Sequence, residues 1–356
     1  MSITPERAGR DHVRHIMPEP KLRHVDDNMP GISRRRAGHG WAYFTPDGER
    51  ITDRDEIDRL NAIALPPAYT DGWFCPFPNG HIQATGIDAR GRKQYRYHPR
   101  FRAEQEADKY ERCADFGRAL PKLRARVEAD LAKRALDHDT VVAAVVRLLD
   151  LGHVRVGNEA YAKANKSFGA TTLRNRHAKV RGGRVELRYI GKSGKKQTLT
   201  IADRRLARIV KRTQDLPGQH LFEYLDADRA PHPIGSADVN AYIREATGGD
   251  FTAKHFRTWG ASLLAFRHIL EMGKGTKISL KAMLECVSSA LGNTPAISRK
   301  SYIHPALVEL CRNGNTDGLC DLRLPRATRY LDPHERALIA FLDEIASLPA
   351  IGTKAA

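Results

Sequence analysis

The chain has 356 residues, of which 59 are Lys or Arg and 42 are Asp or Glu, so its formal net charge is +17. This length predicts two domains, and a hydrophobic content of 41% excludes a chain that is disordered throughout. A positive surplus of this size favours a polyanionic partner, because it spreads a positive field over the surface.

Residues 39–97 predict a small β-rich domain. Short β-like runs (GWAYF, GWFCPF, HIQATGI and QYRYH) alternate with Pro, Gly and Asp turns, and one helical stretch lies near 53–63. The basic segment 90–102 holds six Lys or Arg and no acid, and Tyr95 and Tyr97 alternate with its cations. Cations neutralise phosphates while tyrosines contact sugars or base edges, so this segment predicts a nucleic-acid surface.

The pattern after this domain is mainly helical. Residues 101–135 have helical spacing, and DTVVAAVVRLLDLG (139–152) predicts a buried helix. We expect Asp139 or Thr140 to cap that helix and Gly152 to end it.

A short hairpin interrupts the helices. The Gly182-Gly183 pair predicts a turn after which Val185, Leu187 and Tyr189 share one face. Helical patterns resume at IADRRLARIVKRT, where Asp203 is a candidate cap, and continue towards the C-terminus. The predicted fold class is therefore α+β, with a β-rich domain over 1–98 and a larger, mostly helical domain with a short sheet over 99–356.

Other function classes find no support in the sequence. No apolar run approaches the roughly 18–20 residues needed to span a bilayer. The N-terminal residues lack the apolar segment of a secretory signal. The five cysteines are widely spaced and form no CxxC pair, which favours a reducing compartment without disulfides or a zinc site. We expect a cytoplasmic, nucleoid-associated protein that has no membrane partner.

No motif indicates a cofactor. GKS at 191–193 resembles the end of a phosphate-binding P-loop, but that loop needs a glycine where this chain has Glu186. The sequence contains no dinucleotide fingerprint, HExxH motif or EF-hand loop. We therefore expect no ATP, no required metal and no other cofactor.

Three basic residues occupy unusual local settings. Arg155, in HVRVGNEAY, lies between a buried helix and the next one, and Lys192 lies in the tight turn YIGKSGKKQTL. Arg257 lies in AKHFRTWGAS, where Phe256 and Trp259 are expected to hold a turn against the core. Taken singly, these residues also fit a helix-end contact, an exposed turn lysine and an ion pair with a carboxylate.

Two further residues stand close together. Asn293, in LGNTPAIS, is nine residues before Tyr302, and the cations Arg299 and Lys300 come just before that tyrosine. A cap on the next helix and a half-exposed surface tyrosine are the structural alternatives. A phenol among cations is also the arrangement expected of a nucleophile that attacks a phosphate.

Five stretches occur in one order along the chain: VRVGNEAY, TTLRNRH, YIGKSGK, KHFRTWG and LGNTPAISRKSYIHP. Together they resemble the type IB DNA topoisomerases, particularly the compact poxvirus-like enzymes also found in bacteria. GRKQYRYH is similar to that family's DNA-clamping segment. The resemblance extends from about residue 30 to about residue 330, and it implies relaxation of supercoiled DNA by transient single-strand cleavage.

The resemblance also implies roles for individual residues. Tyr302 would be the nucleophile that forms a 3′-phosphotyrosyl link, and Lys192 the general acid for the 5′-oxygen. Arg155 and Arg257 would bind the non-bridging oxygens. Asn293 stands where the family usually has a histidine, so it would supply a neutral N–H donor to the same phosphate.

Double-stranded DNA is the partner that the resemblance implies, with the protein a monomer closing as a clamp around the duplex. The matching basic stretches assign DNA contacts to Lys93, Gln94, Tyr95, Tyr97, Arg174, Arg176, His177 and Lys254.

Two other interpretations remain open at this point. A tyrosine recombinase has the same catalytic plan, but its usual histidine three residues before the second arginine is replaced here by Lys254, with His255 one residue out of register. A basic DNA-architectural protein would explain the charge but not the five ordered motifs.

Overall fold

The computed structural model describes residues 21–89, 91–272, 278–314, 319 and 322–347, with only the backbone at 106 and 107. The chain divides into two compact units, Met1–Gln105 and Glu106–Ala356. The sequence-based boundary after residue 98 falls at the start of the helix Pro99–Glu111, and the division between the units falls inside that helix.

The described residues of the N-terminal unit form an antiparallel sheet of five strands, one helix that follows the second strand, and the beginning of the helix Pro99–Glu111. The sheet has the order β2-β1-β3-β4-β5, so β5 is an edge strand. These elements are β1 (Ile32–Ala37), β2 (Gly40–Phe44), helix α1 (Arg54–Ala62), β3 (Thr70–Phe74), β4 (Ile82–Ile87) and β5 (Lys93–Tyr97). The predicted β-rich domain and its helix are confirmed.

The sequence pattern does not predict strand β1, because its letters ISRRRA contain three consecutive arginines. The contacts of Arg34 show how one of these arginines is accommodated in the sheet. Its guanidinium donates to the carbonyls of Leu65 (2.7 Å) and Pro66 (2.6 Å) and lies over the ring of Trp41 at 4.0 Å. The charged guanidinium thus donates to main-chain oxygens in its plane and packs its face on an aromatic ring.

The C-terminal unit is mostly helical, as predicted. Its helices are α2 (Pro99–Glu111, shared with the first unit), α3 (Cys113–Ala132), α4 (His138–Gly152), α5 (Glu159–Asn165), α6 (Arg204–Gln214), α7 (Ser236–Thr247), α8 (Ala253–Met272), α9 (Leu280–Leu291), α10 (Pro295–Ser301), α11 (Pro305–Asn313) and α12 (Pro333–Ser347). Its strands are β6 (Ala178–Arg181), β7 (Arg184–Ile190), β8 (Lys196–Ala202), β9 (Glu223–Leu225) and β10 (Pro231–Pro233).

Helix α4 is the buried helix predicted at 139–152, but its cap differs. The side chain of Asp137 accepts from the N–H of Thr140 at 2.8 Å, so the expected cap at Asp139 or Thr140 is wrong. Asp139 instead pairs with Arg126 at 3.2 Å. The helix ends at Gly152 as predicted.

The hairpin follows its predicted alternation. Val185, Leu187 and Tyr189 are buried in β7, and β6, β7 and β8 form an antiparallel sheet in that order. Asp203 caps α6 as expected, accepting from the N–H of Leu206 at 2.8 Å. Within the described part of the chain, no helix combines the length and apolar character that a membrane span requires.

Candidate active site

Arg257 lies inside the protein on helix α8. The segment AKHFRTWGAS forms the first turns of this helix, so the turn expected there is wrong, although Phe256 and Trp259 are buried as predicted. Arg257 is 4% exposed, and its guanidinium donates to the main-chain carbonyls of His153 and, at 3.2 Å, Leu291. Burial lowers the pKa of the guanidinium, and the nearby Tyr302 opposes that effect.

His153 presents its carbonyl to Arg257 because the chain turns sharply at the end of α4. His153 has a left-handed backbone with φ of 48°. Its ring lies against Gly260 of α8, where a Cβ would come within 2.4 Å of the ring nitrogen Nδ1. Burial and the neighbouring Arg257 lower the pKa of His153, so its ring is neutral at pH 7.

Arg155 is fixed by an extended backbone two residues further on. Its carbonyl accepts from the N–H of Ala170 at 2.8 Å, and the carbonyl of Val156 accepts from Thr171 at 2.7 Å. Gly169 permits this approach, since a Cβ there would lie 2.6 Å from the Arg155 carbonyl oxygen. The backbone is therefore held directly after the arginine side chain, at the carbonyls of Arg155 and Val156.

Asn293 contacts Arg155 directly. Its Oδ1 accepts from Nη2 of Arg155, and its main-chain carbonyl accepts from Nζ of Lys195 at 3.0 Å. A guanidinium can only donate, so the amide oxygen faces the arginine and Nδ2 points elsewhere. Nδ2 is buried and has no hydrogen-bond partner among the described residues.

The alternative role of Asn293 as a helix cap is wrong. Helix α10 is capped by Thr294, whose hydroxyl accepts from the N–H of Ile297 at 3.2 Å. Asn293 lies one residue earlier, between this cap and Gly292, which ends α9 with φ of 63°. The side chain of Asn293 therefore does not cap helix α10.

Tyr302 follows the last residue of α10, and its N–H donates to the carbonyl of Ser298 at 3.1 Å. The guanidinium carbon of Arg257 lies 4.7 Å from the centre of the phenol ring. Burial would by itself raise the pKa of the phenol. The charges of Arg257, Arg155 and Lys192 reverse that effect, and the pKa falls below its ordinary value of 10.0.

The charges that act on Tyr302 therefore come from distant elements. Arg299 and Lys300, the cations adjacent in sequence, are exposed on α10 and are not among the causes of the shift. Lys192 lies where it was predicted, in the turn Lys192–Gly194 between β7 and β8.

One cavity of about 480 Å³ brings these groups together. Its lining includes the phenol and four cations: Tyr302, Arg155, Arg257, Lys192 and Lys254. Lys254 is exposed and lies in the first turn of α8. A phenol with a lowered pKa among several cations suits nucleophilic attack on an anionic ester. Asn293 joins the group through its hydrogen bond to Arg155.

His255 lies outside this cavity. It is buried, its Nδ1 accepts from the N–H of Thr252 at 2.9 Å, and its ring lies 5.6 Å from that of Phe116 and 5.2 Å from that of Phe251. The histidine is therefore a core residue. Lys254, which stands where tyrosine recombinases usually have their histidine, is the residue that lines the cavity.

The basic segment before β6 is partly occupied by internal contacts. Arg174 pairs with Glu159 at 2.8 Å and also contacts His220 at 2.6 Å. His177 accepts from the N–H of Arg174 at 3.0 Å, and burial, with help from the nearby arginines, lowers its pKa to about 4. Arg176 is exposed.

Strand β5 of the N-terminal unit has one exposed face. Lys93, Tyr95 and Tyr97 lie on it, and the two phenol rings stack 5.9 Å apart with an interplanar angle of 11°. Lys93 pairs with Asp27 at 2.6 Å. Gln94 lies on the opposite face and donates to Asp88 at 3.0 Å, so this predicted DNA contact does not share the surface of the tyrosines.

Sequence reasoning missed the groups that hold the site in place. The carbonyls of His153 and Leu291 bind Arg257, and Lys195 binds the carbonyl of Asn293. A main-chain carbonyl has no sequence signature. The available signals were the position of His153 directly after a buried helix and the lysine-rich turn that contains Lys195.

The described residues contain no group of three or more His, Cys, Asp or Glu that could hold a metal ion.

Comparison with known proteins identifies the family. A family model described as "Eukaryotic DNA topoisomerase I, catalytic core" matches residues 98–306, and one described as "Bacterial DNA topoisomerase IB, N-terminal domain" matches residues 40–88. The chain belongs to the type IB DNA topoisomerases. It is 34% identical over 298 residues to the DNA topoisomerase 1B of Acanthamoeba polyphaga mimivirus, an alignment that covers 80% of this chain and 88% of the relative.

Two more distant relatives are also named as DNA topoisomerases. The DNA topoisomerase 1B of Vaccinia virus (strain Copenhagen) is 20% identical over 293 residues, covering 77% of this chain and 91% of the relative. The DNA topoisomerase 1 of Mycosarcoma maydis is 24% identical over 189 residues, which are 48% of this chain and 18% of that protein. Family membership settles the choice among the three interpretations in favour of a topoisomerase.

The influence of Lys192 on Tyr302 predicts a shift in ionisation. We expect Lys192→Met to raise the pKa of Tyr302, because one of the charges that favours the phenolate is removed. The pKa is measured from near-ultraviolet absorbance as the difference between each protein and its Tyr302→Phe counterpart. Lys196→Met, an exposed change on the same hairpin, is the matched control. An equal pKa in wild type and Lys192→Met would contradict this account.

Proposed function

We propose that this protein relaxes supercoiled DNA by reversible transesterification, with Tyr302 as the nucleophile. The observation that carries the proposal is the cavity in which Arg155, Lys192 and Arg257, from three separate segments of the chain, meet the phenol of Tyr302. These cations also lower the pKa of that phenol. Such convergence on one phenol has no evident structural purpose, because it concentrates positive charge in a cavity. It does suit a site that receives a phosphodiester.

The reaction proceeds by one exchange of esters. The Tyr302 phenol loses its proton to solvent, its oxygen attacks phosphorus and forms a P–O bond, and the bond to the 5′-oxygen breaks with its electron pair on that oxygen. Lys192 supplies the proton that the leaving 5′-oxygen needs. Religation is the reverse reaction. Because each step replaces one phosphate ester with another, the energy of the ester bond is kept and no ATP is consumed.

Arg155 and Arg257 stabilise the charge that develops on the non-bridging oxygens. A guanidinium has five N–H donors, and the carbonyls of His153 and Leu291 use two of those on Arg257. The phenol of Tyr302 is a further partner, and Nε, which is buried without a partner among the described residues, remains for a phosphate. The unpartnered Nδ2 of Asn293 supplies a further neutral donor, since a buried N–H without a partner gains most from a new acceptor.

Double-stranded DNA is the proposed substrate, bound by a monomer whose two units close around it. The stacked tyrosines of β5, together with Lys93, Arg176 and Lys254, are the contacts that exposure supports best. Arg174, His177 and Gln94 have internal partners, so we propose that they position neighbouring DNA-contacting segments. We also propose a reducing, nucleoid-associated location, in keeping with a DNA substrate and free thiols at Cys75, Cys113, Cys286 and Cys311.

Relaxation of a supercoiled plasmid tests the function. With EDTA, without ATP and without a recombination site, the single added protein should produce relaxed circles. Tyr302→Phe should bind duplex DNA as the wild type does but form no covalent adduct on a denaturing gel. Unrelaxed plasmid with the wild type would contradict the function, and an adduct with Tyr302→Phe would assign the nucleophile to another residue.

Asn293 gives a prediction about oxyanion stabilisation. Loss of one oxyanion donor can cost about 10²–10³ in rate, and a neutral amide beside two arginines should contribute less, so we expect Asn293→Ala to slow single-turnover cleavage roughly 10- to 100-fold with DNA binding intact. Asn293→His should remain active, because a ring N–H can occupy nearly the same position.

Thr294→Ala is the control for this experiment. It removes the true cap of α10 and should lower the melting temperature, since loss of a cap costs about 1 kcal/mol, while slowing cleavage less than Asn293→Ala. If Asn293→Ala melts earlier but cleaves at the wild-type rate, Asn293 has no catalytic role.

The face of β5 gives a prediction that separates charge from stacking. Lys93→Ala should reduce the slope of log affinity against log salt by about 0.9, the value expected for one lost phosphate contact. Tyr95→Ala combined with Tyr97→Ala should weaken binding and leave the slope unchanged, because no charge is lost. Affinities at several salt concentrations measure both. An unchanged slope for Lys93→Ala would mean that this lysine contacts Asp27 alone.

A further inference from the structure

Two side chains at the end of helix α2 bind the backbone that leads into Tyr302. Nζ of Lys109 donates to the carbonyl of Ser301 at 2.8 Å, and the hydroxyl of Tyr110 donates to the carbonyl of Lys300 at 3.2 Å. These are consecutive carbonyls, and Ser301 is the residue directly before Tyr302. The contacts therefore hold the last turn of α10 from one side.

The backbone after Tyr302 is held as well. The N–H of His304 donates to the hydroxyl of Ser262 at 3.0 Å, and Ser262 lies on α8, the helix that carries Arg257. The ring of Tyr110 meets the ring of His304 edge-on at 5.6 Å. Tyr110 thus touches the chain on both sides of Tyr302.

Helix α10 needs such support because of its length and its end. It has seven residues, and the carbonyls of its last turn have no partners within the helix. Short helices are marginal in water and depend on tertiary contacts. A lysine at a helix C-terminus also interacts favourably with the negative end of the helix dipole. Lys109 and Tyr110 meet these requirements together.

We propose that Lys109 and Tyr110 are positioning residues that hold the Tyr302 ring against the Arg257 guanidinium. The proposal rests on the proposed role of Tyr302 as nucleophile. Loss of either hydrogen bond releases a carbonyl to water and loosens the turn that carries the phenol. Displacement of a reacting group by about 1 Å can cost about 100-fold in rate, so partial loosening should cost about 10-fold.

Single-turnover cleavage of a duplex that cannot religate tests the proposal. Lys109→Met and Tyr110→Phe each remove one donor, and Tyr110→Phe keeps the ring that meets His304. We expect each variant to cleave about 10-fold more slowly, with non-covalent DNA affinity within about twofold of wild type. Wild-type cleavage rates in both variants would overturn the proposal.

Matched controls separate positioning from general loss of stability. Tyr330→Phe removes a hydroxyl that donates to Glu128 at 2.9 Å, and Lys211→Met removes a lysine that pairs with Asp215 at 3.8 Å, both away from α10. These variants should cleave at the wild-type rate. An equal deficit in the controls would overturn the proposal, because the effect would then not depend on the contacts to α10.

The pH dependence of cleavage supplies a readout that a purely structural role would not move. Contact with Arg257 lowers the pKa of Tyr302, so a displaced phenol should ionise at higher pH. The deficits of Lys109→Met and Tyr110→Phe should therefore shrink as pH rises towards the ordinary tyrosine pKa of about 10. A deficit of the same size at every pH would overturn the proposal. Tyr302→Phe is assayed in parallel, and an adduct there would instead overturn the proposed function.

Discussion

The buried guanidinium of Arg257 is the constraint around which the catalytic unit is arranged. A buried charge is costly unless it is paired and hydrogen-bonded. Among the described residues its partners are the carbonyls of His153 and Leu291 and the phenol of Tyr302, with no carboxylate in an ion pair with it. These contacts bring together the left-handed end of α4, the end of α9 and the segment that carries Tyr302. Because no carboxylate neutralises the arginine, its field acts on the phenol.

The rest of the site extends from this point through polar contacts. Arg155 holds the oxygen of Asn293, and Lys195 of the hairpin turn holds the carbonyl of the same residue. The turn that carries Lys192 is thus joined to the link between α9 and α10. An array of cations with one unpartnered amide is poorly satisfied in the free protein and becomes satisfied when an anion enters. The features that favour binding of a phosphodiester therefore lower the stability of the site when it is empty.

The sequence was most informative where side-chain pattern alone determines structure. The alternation in β7 and the helical spacing of α4 predicted buried faces correctly, and ordered motifs located the residues that line the cavity. It was least informative where the main chain does the binding. Strand β1 was missed because main-chain carbonyls satisfy its Arg34, and the charges around Tyr302 come from other elements rather than from Arg299 and Lys300.

The anchoring of Tyr302 has a mechanical consequence. With Tyr302 as the proposed nucleophile, torsional stress in the DNA would pull on the covalent link through the side chain of this tyrosine. That force passes into a main chain tied to Ser262 of α8 and, on its other side, to the end of α2. Helix α8 is buried along much of its length, so the load would be carried by the largest hydrophobic core rather than by a surface loop. The proposed nucleophile is thus anchored so that it would bear tension as well as react.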